Sequence, residues 1–293
     1  RGGSRDVEGG EVLDDCAAGH RAGASRLWVE SIRDARKFMS AARIAARSKP
    51  VVVVKSGRHV PATGELGTHV AALASADAVY DAAFRRAGLL RVRALDELFA
   101  AAETMGRLRA FSGRRLAILT NGGGVGGLAA DSLLDLGGTL ATLSPETRSK
   151  LEVLLPAAWS QDNPVDILRD ADEARYSAAV EALLEDANSD ALLVVNVPTA
   201  LSSSTEAALA LTHAVERQPR NARHKPVFAV WLGEEASATE ALAQVHIPNY
   251  RSEADAIRGF MHLVRHGEAQ AALMETPPSL PEDFAVDAAA AQA

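Results

Sequence analysis

Cysteine is almost absent from this chain of 293 residues: Cys16 is the only one. An internal disulfide framework is therefore excluded, and the thiol usage fits a reducing compartment. Long apolar runs are missing too. Nothing approaches the ~20 residues that a membrane span needs, and no signal-peptide pattern opens the chain, so a cytoplasmic protein without a membrane partner is expected. Positive charge is also short: 31 Lys and Arg face 38 Asp and Glu, a net charge of -7. That balance argues against nucleic acid as a partner, which needs a clustered basic face. Arg33, Arg36, Arg43 and Arg47 recur at helical spacing among apolar residues and read as one solvated helix face. Metal-ligand spacing is lacking as well. His213, His262 and His266 fall within helical patterns, His224 precedes a strand, and none pairs with a carboxylate, so no metal centre is expected.

What is present is an ordinary globular composition, 47% apolar and 24% charged, with regular alternation of strand and helix patterns. After a Gly-rich lead-in, Leu27–Val29 reads as a strand. Ser31–Arg47 reads as a helix, with Ser31 and Asp34 as a capping pair. Val51–Val54 is a continuous β-branched run, the pattern of a parallel strand covered on both faces. A helix from about Ser75 to Ala87 stops at Gly88; strand Leu89–Val92 and helix Leu95–Leu108 follow. A second unit restarts with strand Arg114–Thr120. Helix Gly124–Leu136, strand Thr139–Leu143, helix Pro145–Leu154 and a long polar loop, Pro156–Asp166, come next. Helix Glu173–Leu184 follows, then three strand–helix repeats, the last ending in helix Glu253–Arg265. Such alternation means βαβ units. The fold class is α/β, with two doubly wound flavodoxin-like domains built on parallel sheets. Their expected bounds are 26–110 and 111–267, with 1–25 a truncated lead-in and 268–293 a linker. The first residue is Arg and residues 285–293 are alanine-rich, so both ends are expected to be cuts through a longer polypeptide.

Two loops carry chemistry. Gly64–Ser75 is rich in small residues, holds His69, and follows the strand ending near Lys55. Open α/β sheets place ligands at that edge. Glu30 ends the preceding strand and is placed to face the same crevice, where a carboxylate on one ring nitrogen would leave the other nucleophilic. The second loop is Asn121-Gly-Gly-Gly-Val-Gly-Gly127. Gly122, Gly124 and Gly127 have the G-x-G-x-x-G spacing after a strand and before a helix, where bare N–H groups and the positive helix end favour an anion. Here again absences decide. No acidic residue ends the next strand to take a ribose hydroxyl, and Leu128 stands where a P-loop needs Lys. An anion cradle or tight strand–helix packing remains. Asn163 and Asp166, in Asp162-Asn-Pro-Val-Asp166, either shape the site or form a turn.

At these residues the sequence resembles the NDP-forming acyl-CoA synthetases, relatives of succinyl-CoA synthetase. It looks most like the acetate–CoA ligase region of large bacterial proteins fused to a GNAT acetyltransferase. The segments that carry the likeness are Val29–Met39, Lys55–Arg58, Thr68–Ala74, Asp77–Phe84, the turn at 121–127, Asn163–Asp166 and Gly259–Val264. The resemblance implies that His69 is transiently phosphorylated, that Glu30 contacts it, and that the phosphoryl group sits between two helix N-termini, at Ser31 and near Gly124. Phosphate contacts are then implied for Ser31, Thr68, Asn121, Gly122, Gly123, Gly124, Gly126 and Gly127. Coenzyme A, ATP or ADP and Mg2+ belong to the full-length protein, and none is expected to be held tightly by this piece. Implied partners are a small carboxylic acid, CoA and phosphate, with CoA-binding and ATP-grasp domains in cis or on another subunit, and a homo-oligomer. Around the histidine the family pattern is Ser-His-Thr-Gly-Ala-Leu-Ala-Gly; this chain has Thr68, Val70, Ala71 and Ser75 at the four differing positions. The two lost glycines add bulk where a phosphate-bearing loop would swing. The competing expectations are a regulatory acyl-CoA-sensing region of a GNAT protein acetyltransferase and, last, a nicotinamide-dependent Rossmann enzyme.

Overall fold

The computed structural model describes residues 23–30, 32, 34–58, 77–108, 111–218, 224–233 and 236–275. The expected site residues Ser31, Thr68 and His69 lie outside them.

The first unit comprises β1 (Ser25–Val29), α1 (Ala35–Ser48), β2 (Val51–Lys55), α2 (Asp77–Arg86), β3 (Leu90–Val92) and α3 (Leu95–Arg107). Its sheet runs β1-β2-β3, all parallel, with Val29 opposite Lys55 and Val54 opposite Val92. All five residues of β2 are buried, as a strand sandwiched between helices must be. Helix α1 starts at Ala35, four residues later than its sequence suggests. Asp34 is extended and its carboxylate accepts the Lys37 N–H at 2.9 Å, so this residue is the N-cap rather than an interior partner of a cap at Ser31. Helix α2 ends where expected, at Gly88 with φ +77, against which Leu273 packs.

The second unit comprises β4 (Arg115–Thr120), α4 (Gly123–Asp135), β5 (Thr139–Leu140), α5 (Pro145–Leu154), β6 (Val165–Asp166), α6 (Glu173–Glu185), β7 (Ala191–Asn196), α7 (Ser204–Glu216), β8 (Val227–Trp231), α8 (Ala236–Gln244), β9 (Asn249–Tyr250) and α9 (Glu253–Met274). Its parallel sheet runs β5-β4-β7-β8-β9, and β6 pairs with β4 beyond β5. The stretch 156–166 is thus more than a loop: its last two residues extend the sheet. Two residues carry no period, which is why the sequence hid them.

Helix α9 joins the units. The sequence suggests an end near Arg265 and a linker from 268, but the helix continues to Met274. Its first half buries Ile257, Phe260, Met261 and Val264 in one core together with Leu116, Ile118 and Phe228 of the second sheet and Val52, Val54 and Val92 of the first. Its last turns bury Leu273 among Phe38, Ala46 and Phe84, and Gln270 Nε2 donates to the Ala46 carbonyl at 3.0 Å. At 1.5 Å per residue the helix is about 33 Å long, enough to span both sheets. Tertiary packing lengthened it. No helix among the described residues is long and apolar enough to cross a membrane.

Two histidines of α9 give the fold a pH dependence. His262 is 5% exposed, its Nδ1 has no partner among the described residues, and burial holds its pKa down at about 4. Glu97 opposes that shift, while Arg265 and Arg258 add to it. Burial lowers His266 as well. An unfolded chain protonates such groups from the usual value near 6.5, so between pH 6.5 and about 4 the unfolded state holds more protons and stability falls as pH falls. About 2 kcal/mol is expected to be lost to His262 between pH 7 and pH 5. Urea midpoints at the two pH values check this: in His262→Leu the difference should shrink, and an unchanged difference would assign the loss to other groups.

Candidate functional site

At the carboxyl end of β4 the chain turns through Asn121 and Gly122 into α4. Asn121 is fully buried, and its side-chain amide is bonded at both ends to Val197: Nδ2 donates to the carbonyl at 2.8 Å and Oδ1 accepts the N–H at 2.7 Å. It ties together the two turns that follow β4 and β7, and so sets the crevice wall. The Gly122 N–H donates to Thr120 Oγ1 at 3.0 Å.

The glycines divide into two kinds. A Cβ at Gly122 would stand 2.7 Å from Val197 Cγ2, and one at Gly126 would stand 2.8 Å from Thr120 Cγ2. Those two positions are glycine because the neighbouring strands come too close. At Gly124 and Gly127 an added Cβ would meet none of the described residues within 4 Å, and both residues are exposed. Packing does not explain them. Helix α4 also has no side-chain cap, whereas α5, α6, α7 and α9 are capped by Ser144, Asp172, Ser203 and Ser252. The helix start is therefore bare of described side chains on one side, with its partial positive charge available there.

On its other side stands Asp166. One carboxylate oxygen accepts the Leu168 N–H at 2.9 Å, and the second lies 2.5 Å from the point where a Gly123 Cβ would be. This carboxylate favours the helix start but repels an anion arriving on that side. An anion is left the face of Gly124 and Gly127. Asn163 does something different. Its Oδ1 accepts the Ile118 N–H at 2.9 Å, and its Nδ2 donates to the carbonyls of Leu116 at 3.0 Å and Ala141 at 2.8 Å. The amide bridges the gap that β5 and β6 leave on the edge of β4, and so holds the 160–166 segment that carries Asp166.

In the first unit, Lys55 ends β2 and is 5% exposed. Its ammonium donates to the Ser56 carbonyl and lies 4.9 Å from the centre of the Tyr80 ring. Burial holds its pKa below the usual lysine value. Asp77 counters that, Arg91 adds to it, and Glu30 counters it in turn. Register explains the proximity of Glu30, since Val29 pairs with Lys55. Thus Glu30, exposed at the end of β1, is brought to a buried lysine that sequence reasoning passed over. The available signal was a lone charge closing an all-valine strand. Asn196 was missed in the same way at the end of β7. It donates through Nδ2 to the Tyr176 hydroxyl at 2.8 Å, and its buried Oδ1 has no partner among the described residues. Among the described residues no group of three His, Cys, Asp or Glu side chains could hold a metal ion.

Comparison with known proteins covers both units. Residues 1–105 match the family described as "Succinyl-CoA ligase like flavodoxin domain", and residues 116–259 match "Ligase-CoA domain". Acetate–CoA ligase [ADP-forming] I of Archaeoglobus fulgidus is 35% identical over 84% of this chain and 34% of its own length. The alpha subunit of acetate–CoA ligase [ADP-forming] II of Pyrococcus furiosus is 32% identical over 91% of this chain and 58% of its own. This chain thus spans between about a third and three fifths of these relatives. Among solved structures, the apo form of the dinucleotide-forming acetyl-coenzyme A synthetase 1 of Ca. Korarchaeum cryptofilum superposes with a TM-score of 0.77 at 27% identity, covering 92% of this chain and 58% of that one. The same enzyme in complex with phosphate and ADP superposes with a TM-score of 0.76 at 26% identity, over 92% of this chain and 58% of that chain.

Proposed function

This chain belongs to the NDP-forming acyl-CoA synthetase family, and from that premise we propose that it is the phosphoryl-carrying part of an acetate–CoA ligase of the ADP-forming type. Acyl-CoA and phosphate give acyl phosphate and CoA. The phosphorus of the acyl phosphate is then attacked by a ring nitrogen of His69, the acid leaves as its carboxylate, and the phosphohistidine passes its phosphoryl group to ADP to make ATP. His69 is the nucleophile and Glu30 orients its ring. The bare start of α4, at Gly124 and Gly127, stabilises the phosphoryl charge. The lysine beside Glu30 adds a nearby positive charge to that crevice. Mg2+ would arrive with the nucleotide, bound largely through its phosphates. CoA-binding and ATP-grasp functions are assigned to other domains or subunits, the site of action to the cytoplasm, and the assembly to a homo-oligomer.

The observation that carries this reading is the α4 start: uncapped, exposed, and glycine at two positions where packing asks for none. Labelled ATP given to the full-length protein should leave an acid-labile, alkali-stable label that is absent from His69→Asn. A label that survives that change would sink the assignment.

A second reading has its own support. Asp34 caps α1 and Asp166 stands over α4, so both helix starts already hold a carboxylate. Together with Val70 and Ala71 beside the histidine, this favours a ligand-sensing region of a GNAT protein acetyltransferase. Net formation of acetyl-CoA from acetate, CoA and ATP would exclude that reading, and its absence alongside acetyl-CoA binding would favour it.

A further inference from the structure

A cleft of 670 Å³ runs along the seam between the two units, formed by α2, β3, the start of α3, the end of α4 and one face of α9. That volume is in the range of small-molecule and cofactor sites. Its charges sort cleanly. Arg85 pairs with Asp81, Arg91 with Asp77 and Asp81, Arg258 with Asp255, and Glu268 with Arg114. Left over are the guanidinium groups of Arg93 and Arg265, for which no described residue supplies a carboxylate, against the single carboxylate of Glu97. One oxygen of Glu97 already accepts the Arg93 backbone N–H at 2.9 Å. Two guanidinium groups in one cleft without a carboxylate among the described residues are unexpected in a chain of net charge -7. They come from different units, Arg93 from the first and Arg265 from α9. Between them the wall is apolar, with Leu136 half-buried at its surface and Leu90 and Met261 buried beneath it. His262 lines the same wall and is neutral at physiological pH, so it adds a polar ring without adding charge.

We propose that this interdomain cleft is a nucleoside phosphate site, with the phosphates held by Arg93 and Arg265 and the base laid against Leu136. Guanidinium groups take phosphate oxygens two at a time, which suits a diphosphate spanning two arginines. Leu136 gives the base an apolar contact that inorganic pyrophosphate would not use. Because the two arginines sit on different units, an occupied cleft ties the sheets together along α9. The site is separate from the glycine turn and does not depend on His69.

Calorimetric titration of the chain with ADP, and separately with inorganic pyrophosphate, tests the assignment. ADP should bind at one site and more tightly than pyrophosphate. Arg93→Glu and Arg265→Glu should each weaken ADP binding at least about tenfold, the effect of losing one charge-assisted contact. Both side chains are exposed, so melting temperatures should stay within error of the parent and exclude misfolding as the cause. Gly124→Asp, which places a negative charge at the α4 start, should leave ADP binding at the cleft unchanged. The proposal fails if ADP does not bind, or if pyrophosphate binds equally well. It also fails if Gly124→Asp abolishes binding while both arginine variants retain it, which would put the nucleotide at the glycine turn.

Discussion

Replacing Asn163 with Ala is expected to cost about 3 kcal/mol and to lower the melting temperature by roughly 10 °C. The side chain is 8% exposed and replaces a missing stretch of strand. On that edge β4 is paired by β5 at Arg115 and Leu116 and by β6 at Leu119 and Thr120, and the amide fills the space between. Without it, the Ile118 N–H and the Ala141 carbonyl lose the partners recorded for them. The Leu116 carbonyl keeps one, the Ala141 N–H at 2.9 Å. Each buried group left without a partner costs about 1–3 kcal/mol, which sets the size of the effect. Asn163→Asp should not rescue stability. It restores an acceptor for Ile118 but sets a carboxylate against two carbonyl oxygens. Thermal unfolding of the two variants is the measurement, and a melting point within about 2 °C of the parent would show that the edge reorganises without the amide.

The second large effect separates packing from function within one turn. Gly126→Ala is expected to destabilise by about 1–3 kcal/mol, because its Cβ would press on Thr120 Cγ2 at 2.8 Å and Pro164 Cβ at 3.3 Å. Gly124→Asp should do the reverse. Its side chain meets none of the described residues, a helix gains from losing glycine, and a carboxylate in the first turn complements the helix dipole. Stability should therefore hold or rise by up to about 1 kcal/mol. Phosphoryl transfer should nevertheless fall by about 100-fold or more in the full-length protein, the scale seen when an electrostatic cradle loses a donor. Opposite signs for stability and turnover are the signature. A Gly124→Asp protein with parental turnover would leave the exposed glycines without a ligand to explain them, and would remove the support for a phosphate at this helix start.

Much of the fold was legible because burial leaves periodic traces. The valine run 51–54 and the residues Ala191–Val195 are apolar throughout because helices cover both sheet faces, and both lie in fully buried strands. Gly88 marks the end of α2 through its positive φ. Less legible were features whose cause lies elsewhere in the chain. Helix α9 passes Arg265 because a second core awaits Leu273. The start of α1 moves to Ala35 because the Asp34 carboxylate reaches the Lys37 N–H. Strand β6 exists because Asn163 closes the edge that leads to it.

The site shows the same division. The sequence alone determined that a glycine-rich turn joins a strand to a helix, and that it lacks both the lysine of a P-loop and the acid of a dinucleotide site. Those are matters of residue identity and spacing. Only the tertiary structure decided which glycines answer to packing and which do not, that the Asn121 amide is committed to Val197, that Asp166 stands over the α4 start, and that Lys55 lies buried next to Glu30. Each of these depends on distances between segments far apart in the chain, to which local periodicity is blind.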